Sequence, residues 1–147
     1  MNIGVVGSRR RNKNADRQIV YRAVHHLRQQ IESGHWYKTV IVSGGCPKGG
    51  YKFAEEYADI HRVEAIIHRP DQSQRDWLVS VRHVPVRAAC TLVNYARNEL
   101  IARDSDILIA CVAPDREGGT ENTIKHFLKK LNLTEGQAIQ QGKLILV

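Results

Sequence analysis

Three short stretches carry residue types that can hold a phosphate group. "GSRRR" (7–11) sets Gly7 and Ser8 before Arg9, Arg10 and Arg11. "SGGCPKGG" (43–50) places glycines on both sides of Cys46, Pro47 and Lys48, and "PDREGGTEN" (114–122) contains Gly118-Gly119-Thr120. Glycine lets backbone N–H groups come close to a ligand. A helix N-terminus adds unpaired donors and the positive end of the dipole. Gly118-Gly119-Thr120 therefore reads as one phosphate cradle, and Gly44-Gly45 with Lys48-Gly49-Gly50 as a second. Neither matches G-x-x-x-x-G-K-[ST] or G-x-G-x-x-G, so their weight comes from occurring together. A fourth group is Asn94, Arg97 and Asn98, spaced i, i+3, i+4 on one helix face. Asparagine is a poor helix former, so two of them beside an arginine point to directed hydrogen bonds. This stripe is read as lying opposite Leu92, Ala96 and Leu100. Trp77, in "RDWL", has a ring that can stack on a base or pack under a loop.

These residues need elements to position them. "NIGVV" (2–6), "TVIVS" (39–43), "EAIIH" (64–68), "DILIACV" (106–112) and "KLILV" (143–147) read as five short strands. Between them, periodic apolar positions predict helices. One runs from Ala15 to Ser33 with Val20, Ala23, Val24, Leu27 and Ile31 inward, and Gly34 as its stop. Others span 50–60, 87–103 with Ala89, Leu92, Val93, Ala96 and Leu100 on the apolar face, and a stretch starting near Thr120 with Ile124, Phe127, Leu128 and Leu131 inward. Residues 69–86, punctuated by Pro70 and Pro85, are read as irregular. Alternation of this kind predicts an α/β, Rossmann-like doubly wound fold, with a mainly parallel five-stranded sheet and helices on both faces. Ligands of such sheets sit outside the C-terminal strand ends. The three loops follow three strands, so they are expected at one edge. The length fits a single domain spanning 1–147.

The formal net charge is +7, which suits an anionic partner. Within the first 32 residues Arg9, Arg10, Arg11, Lys13, Arg17, Arg22 and Arg28 face only Asp16 and Glu32. No apolar run approaches the roughly 20 residues of a membrane span, and no basic leader precedes Ile3. A cytoplasmic protein with no membrane partner is expected. The cysteines Cys46, Cys90 and Cys111 form no C-x-x-C pair, so neither a zinc site nor a disulfide framework is expected. Cys90 and Cys111 read as core residues, and Cys46 as exposable in its loop. The seven histidines show no ligand spacing. No metal and no cofactor are expected.

Taken in order, "VVGSR", "SGGCPKGG…FAEEYA", "DW", "ARNELIARDSDILIA" and "GGTENTI" resemble the SLOG superfamily, nearest its small YspA/YpsA-like branch. The resemblance spans nearly the whole chain. It implies a Rossmann-like domain related to the Lonely Guy (LOG) phosphoribohydrolases, which cleave the N-glycosidic bond of nucleoside 5′-monophosphates. It also implies kinship with the DNA-processing protein DprA and with domains that sense nucleotide derivatives. LOG enzymes commonly pair, so a homodimer is implied. Gly7-Ser8-Arg9, Ser43-Gly44-Gly45, Arg97-Asn98 and Gly119-Thr120 match the family pattern, and the residue matching Arg97 is catalytic in LOG enzymes. Two carboxylates of that pattern are missing. The aspartate expected to hold ribose hydroxyls falls on Tyr51, and the catalytic glutamate falls on Thr123.

Three functions follow as expectations. The first is a sensing or carrier domain for a nucleotide or an ADP-ribose-like molecule. Its ligand set is Gly7, Ser8, Arg9, Ser43, Gly44, Gly45, Lys48, Gly49, Trp77, Asn94, Asn98, Gly118, Gly119 and Thr120. The second is an N-ribosyl hydrolase or transferase, with Arg97 as electrophilic partner and Glu117 or Glu121 standing in for the missing glutamate. Glycoside cleavage needs a carboxylate near the anomeric carbon, and two helical positions turn Glu121 about 200° away from position 123. The third is nucleic-acid binding through the N-terminal arginines, for which an aromatic content of 6% supplies few stacking platforms.

Overall fold

The computed structural model describes residues 1–33 and 38–147. In chain order it runs β1 (Asn2–Gly7), α1 (Asn14–Glu32), β2 (Val40–Ser43), α2 (Gly50–Ile60), β3 (Glu64–Ile67) and α3 (Gln72–Ser80). There follow α4 (Val86–Asp104), β4 (Ile107–Cys111), α5 (Gly119–Leu131), α6 (Glu135–Gln140) and β5 (Leu144–Leu146). The five strands form one sheet in the order β3-β2-β1-β4-β5, every pair parallel. That is the Rossmann-like α/β arrangement, with the strand order reversing between β1 and β4. Gly34, read as the stop of the first helix, lies outside the described residues.

Alternation along the strands builds two cores. Ile3, Val5, Ile41, Ile107 and Ile109 face Val20, Val24 and Leu27 of α1 and Phe53, Ala54 and Tyr57 of α2. Val6, Val42, Leu108, Ala110 and Leu144 face Ile101 of α4, Ile124 and Phe127 of α5 and Ala138 of α6. The helices thus cover both faces. Among the described residues no helix is long and apolar enough to cross a membrane.

Four sequence expectations are corrected. The stretch after Pro70 contains α3, which is capped by the Asp71 side chain accepting the Gln74 N–H at 2.9 Å. No α3 residue is buried, so no apolar stripe betrays it. Helix α6 was missed because six residues hold too little periodicity, although Thr134-x-x-Gln137 forms a capping box legible in the sequence. Cys46 is buried rather than exposed, and Cys90 is only partly buried. The fourth correction concerns α4: Ala89 and Val93 are buried as expected, but Arg97, Asn98 and Ile101 join them on the inner face, while Leu92 is 53% exposed and Ala96 also lies outward. The polar stripe is therefore the inner one. Two apolar sets compete on this helix, and the sheet takes the set that carries Arg97 and Asn98, whose polar atoms find partners there.

The arginines of the first loop divide by role. Arg11 is structural. Its Nε lies 2.5 Å from Asp16 Oδ1, and its Nη1 donates to the Val112 carbonyl at 2.8 Å. Asp16 also accepts the Lys13 N–H at 3.0 Å, tying the entry of α1. Burial pushes the Asp16 carboxyl up, but the Arg11 and Lys13 hydrogen bonds outweigh it and hold it below its usual value. A carboxylate with a depressed folded pKa stabilises the fold above its unfolded pKa, near 3.8, and loses that contribution as pH falls through the folded value. Asp16→Ala should therefore lower stability by about 2 kcal/mol at pH 7. In urea titrations at descending pH, its gap from wild type should close as the carboxylate protonates.

Candidate functional site

The reversal of strand order opens a crevice outside the ends of β1 and β4. A cleft of about 350 Å³ lies there. Gly7, Ser8, Arg9 and Arg10 enter it from the loop after β1, Glu117 to Thr120 from the loop and helix start after β4, and Asn94, Arg97 and Asn98 from α4. Tyr51, Thr91 and Tyr95 complete the wall. One cleft thus gathers residues from four separate segments.

Arg97 is the centre of this site. The residue is only 6% exposed. Its Nε donates to Asn98 Oδ1 at 3.0 Å, its Nη1 to the Gly44 carbonyl, and its Nη2 reaches Asn94 Oδ1 at 3.5 Å. Its guanidinium carbon sits 4.8 Å from the centre of the Tyr51 ring. Every acceptor is neutral, and Arg97 forms no ion pair among the described residues. Gly44 has no side chain for a spatial reason. A Cβ there would stand 2.7 Å from both Arg97 Nη1 and Tyr51 Cε1.

Asn98, fully buried, holds three elements together. Its Oδ1 accepts from Arg97 and, at 3.4 Å, from the Tyr51 hydroxyl. Its Nδ2 donates to the Gly119 carbonyl at 3.1 Å and to Asn122 Oδ1 at 3.2 Å. The amide orientation follows from Arg97, which can only donate. Asn98 thereby fixes the start of α5, where Gly118 has φ 103° and the first-turn N–H groups lack intrahelical partners. Thr120, 5% exposed, adds its hydroxyl to this turn.

The two positions where family carboxylates were expected lie side by side. Burial pushes the Tyr51 hydroxyl well above its usual value, and Thr123 and Arg97 lie close enough to oppose that shift. Tyr51 is therefore a neutral donor. Thr123 is fully buried and gives its hydroxyl to the Gly119 carbonyl at 3.1 Å.

The remaining candidates divide. Glu117 lines the cleft, whereas Glu121 does not. Arg116 grips Glu121 through Nε at 2.6 Å and Nη2 at 2.9 Å, and holds Glu135 at 2.8 Å with the same guanidinium. These carboxylates raise the Arg116 pKa, and the network pins the approach to Gly118 onto α5 and α6. The second glycine loop spends two of its backbone donors on the protein. Gly45 N–H goes to Glu55 Oε1 at 3.0 Å and Gly49 N–H to Asn12 Oδ1 at 2.9 Å. Ser43 gives its hydroxyl to Glu55 at 2.6 Å. Lys48 is exposed and outside the cleft, as is Trp77, whose ring faces Arg82 on the α3 surface. Sequence reasoning missed Glu55, whose role needs the folded loop, and the Arg10–Asp115 pair. That pair bridges the two cleft loops through two contacts of 2.5 and 2.6 Å.

No family model matches this chain, and no curated protein matches it. Among solved structures, the chain is similar to a predicted subunit of tRNA methyltransferase from Methanocaldococcus jannaschii. The identity is 17% and the TM-score 0.38, over 91% of this chain and 66% of that one, so the chain spans less than two thirds of that protein's length. So loose a likeness carries nothing about function.

Because Asn98 serves Arg97, Tyr51 and Gly119 together, Asn98→Ala orphans several buried polar groups. We expect a loss of about 3 kcal/mol in chemical denaturation, with a larger relative change than Thr91→Ala, whose side chain is exposed.

Proposed function

We propose that the chain is a SLOG-like domain that binds a nucleotide, or a nucleotide-derived ligand of the ADP-ribose type, and does not hydrolyse it. One observation carries this: Arg97 is a buried cation whose acceptors are all neutral. Taking a charge out of water costs several kcal/mol unless an opposite charge compensates. An anionic ligand is the missing counter-charge. A phosphate between Arg97 and the start of α5 would gain charge-assisted bonds from the guanidinium, the first-turn N–H groups and the Thr120 hydroxyl. Arg9 and Arg10 stand at the mouth, and Ser8 and Asn98 orient the rest.

The same site argues against turnover. The positions of the two expected carboxylates hold a neutral phenol and a hydroxyl, Glu121 is committed to Arg116, and Glu117, the one candidate acid that lines the cleft, stands exposed in the loop before α5. Removing negative charge from those two positions favours binding of an anion and takes from them the carboxylate that would stabilise an oxocarbenium-like centre. The basic surface is also partly spent: Arg10, Arg11, Arg28, Arg75, Arg103 and Arg116 all pair with carboxylates. This lowers the support for a nucleic-acid grip.

A panel of nucleoside monophosphates, dinucleotides and ADP-ribose, read by thermal shift, tests the proposal. At least one should raise the melting temperature, with no free base released on long incubation. Failure of the whole panel would remove the reading. Asn94→Asp sharpens the test, because it sets a carboxylate beside Arg97 with little change of shape. It should stabilise the unliganded protein and weaken ligand binding about tenfold or more.

A further inference from the structure

Beside the cleft lies a second lobe of about 250 Å³, running along α3. The two lobes share Arg9, Asn94 and Arg97 as their dividing wall. Beyond that wall the second lobe is bounded by Gly45, Cys46 and Pro47 of the loop after β2, by Cys90 and Val93 of α4, and by Gln72 and Arg75 of α3. Its chemistry is one-sided. Arg9, Arg75 and Arg97 all border it, and no lining residue is acidic. Arg9 forms no ion pair among the described residues, and Arg97 is buried without one. Among the described residues the ion pair these three arginines make is that of Arg75 with Asp76, 66% exposed, which takes the Arg75 Nε at 3.0 Å and Nη2 at 2.6 Å.

We propose that this second lobe is a separate anion subsite, so that the whole cleft takes a ligand bearing two phosphate-class groups, one on each side of Arg97. The inference rests on the nucleotide reading for the first lobe and adds the ligand class. One phosphate at the start of α5 compensates one side of the Arg97 guanidinium. Arg9 and Arg75 both border the other side, where a single-phosphate ligand leaves Arg9 without a counter-charge and Arg75 with only the exposed Asp76. Arg75 projects from a helix with no buried residues and with an exposed Trp77, so α3 is held by its contacts with α4 rather than by a core of its own. A ligand reaching Arg75 therefore spans the wall between the lobes and meets a helix that buries no residue of its own.

Titration of the protein with inorganic phosphate, followed by 1H–15N NMR, separates the two lobes without any assumption about the ligand's length. Amides of Gly118, Gly119 and Thr120 report the first lobe, and those of Gly45 and Cys46 report the second. Both groups should respond, with distinct saturation curves. Arg75→Ala should weaken the second response about fivefold or more and change the first less than about twofold. Asp76→Asn, an exposed change that releases Arg75 from its carboxylate, should tighten the second response about threefold. A silent second lobe beside a responding first lobe overturns this inference alone, as does an Arg75→Ala variant that weakens both responses alike. Silence of both lobes overturns the nucleotide reading as well.

Discussion

The site is organised by the cost of burying the Arg97 charge with only neutral acceptors. Asn98, Asn94, Gly44 and the face of Tyr51 each offset part of that cost, and none of them cancels the charge. The packing around it follows from this demand. Residue 44 must be glycine for the guanidinium and the phenol ring to reach the backbone. Asn98 must present its oxygen to Arg97, which leaves its amide nitrogen for the start of α5. The helix terminus best suited to a phosphate is thus held by the same side chain that holds the cation.

The sheet supplies the frame for that arrangement. Parallel pairing of β1 with β2 on one side and β4 on the other sends the loops after β1 and β4 apart, and the gap between them is the cleft. Each wall has its own brace. Arg11 ties the first loop to Asp16 and to the backbone beyond β4. Arg116 ties the second to α5 and α6. The three consecutive arginines therefore do three different things: Arg9 borders the cleft, Arg10 bridges its mouth to Asp115, and Arg11 braces the fold.

Much of this architecture was legible before folding was considered. Alternating short apolar runs and 3.6-residue stripes require buried strands between amphipathic helices, and strands buried on both faces are parallel ones. The stripe Asn94-Arg97-Asn98 could be placed on one helix face by spacing alone. What stayed hidden was which face turns inward. Ala89 and Val93 can be continued by Leu92, Ala96 and Leu100 or by Arg97 and Ile101, and local periodicity cannot choose between those rows. Helix α3 was hidden for a related reason: with nothing buried it leaves no stripe, and only its Asp71 cap marks it.

The sequence by itself determined the fold class and the list of phosphate-binding residue types, because both depend on patterns within a few neighbouring positions. Tertiary structure alone decided how those residues are used. Gly45 and Gly49 lie in a loop as rich in glycine as the one at 118–119, yet their N–H groups are consumed by Glu55 and Asn12, residues contributed by other turns of the chain. Glu121 and Glu117 are alike in sequence, but only Glu117 faces the cleft, since Arg116 claims the other. The lack of a counter-charge for Arg97 is a property of the packed site, because acidic residues are abundant along the chain and, among the described residues, none forms an ion pair with it. Composition counts charges, whereas folding sets the distances between them, and electrostatic energy depends on distance and burial.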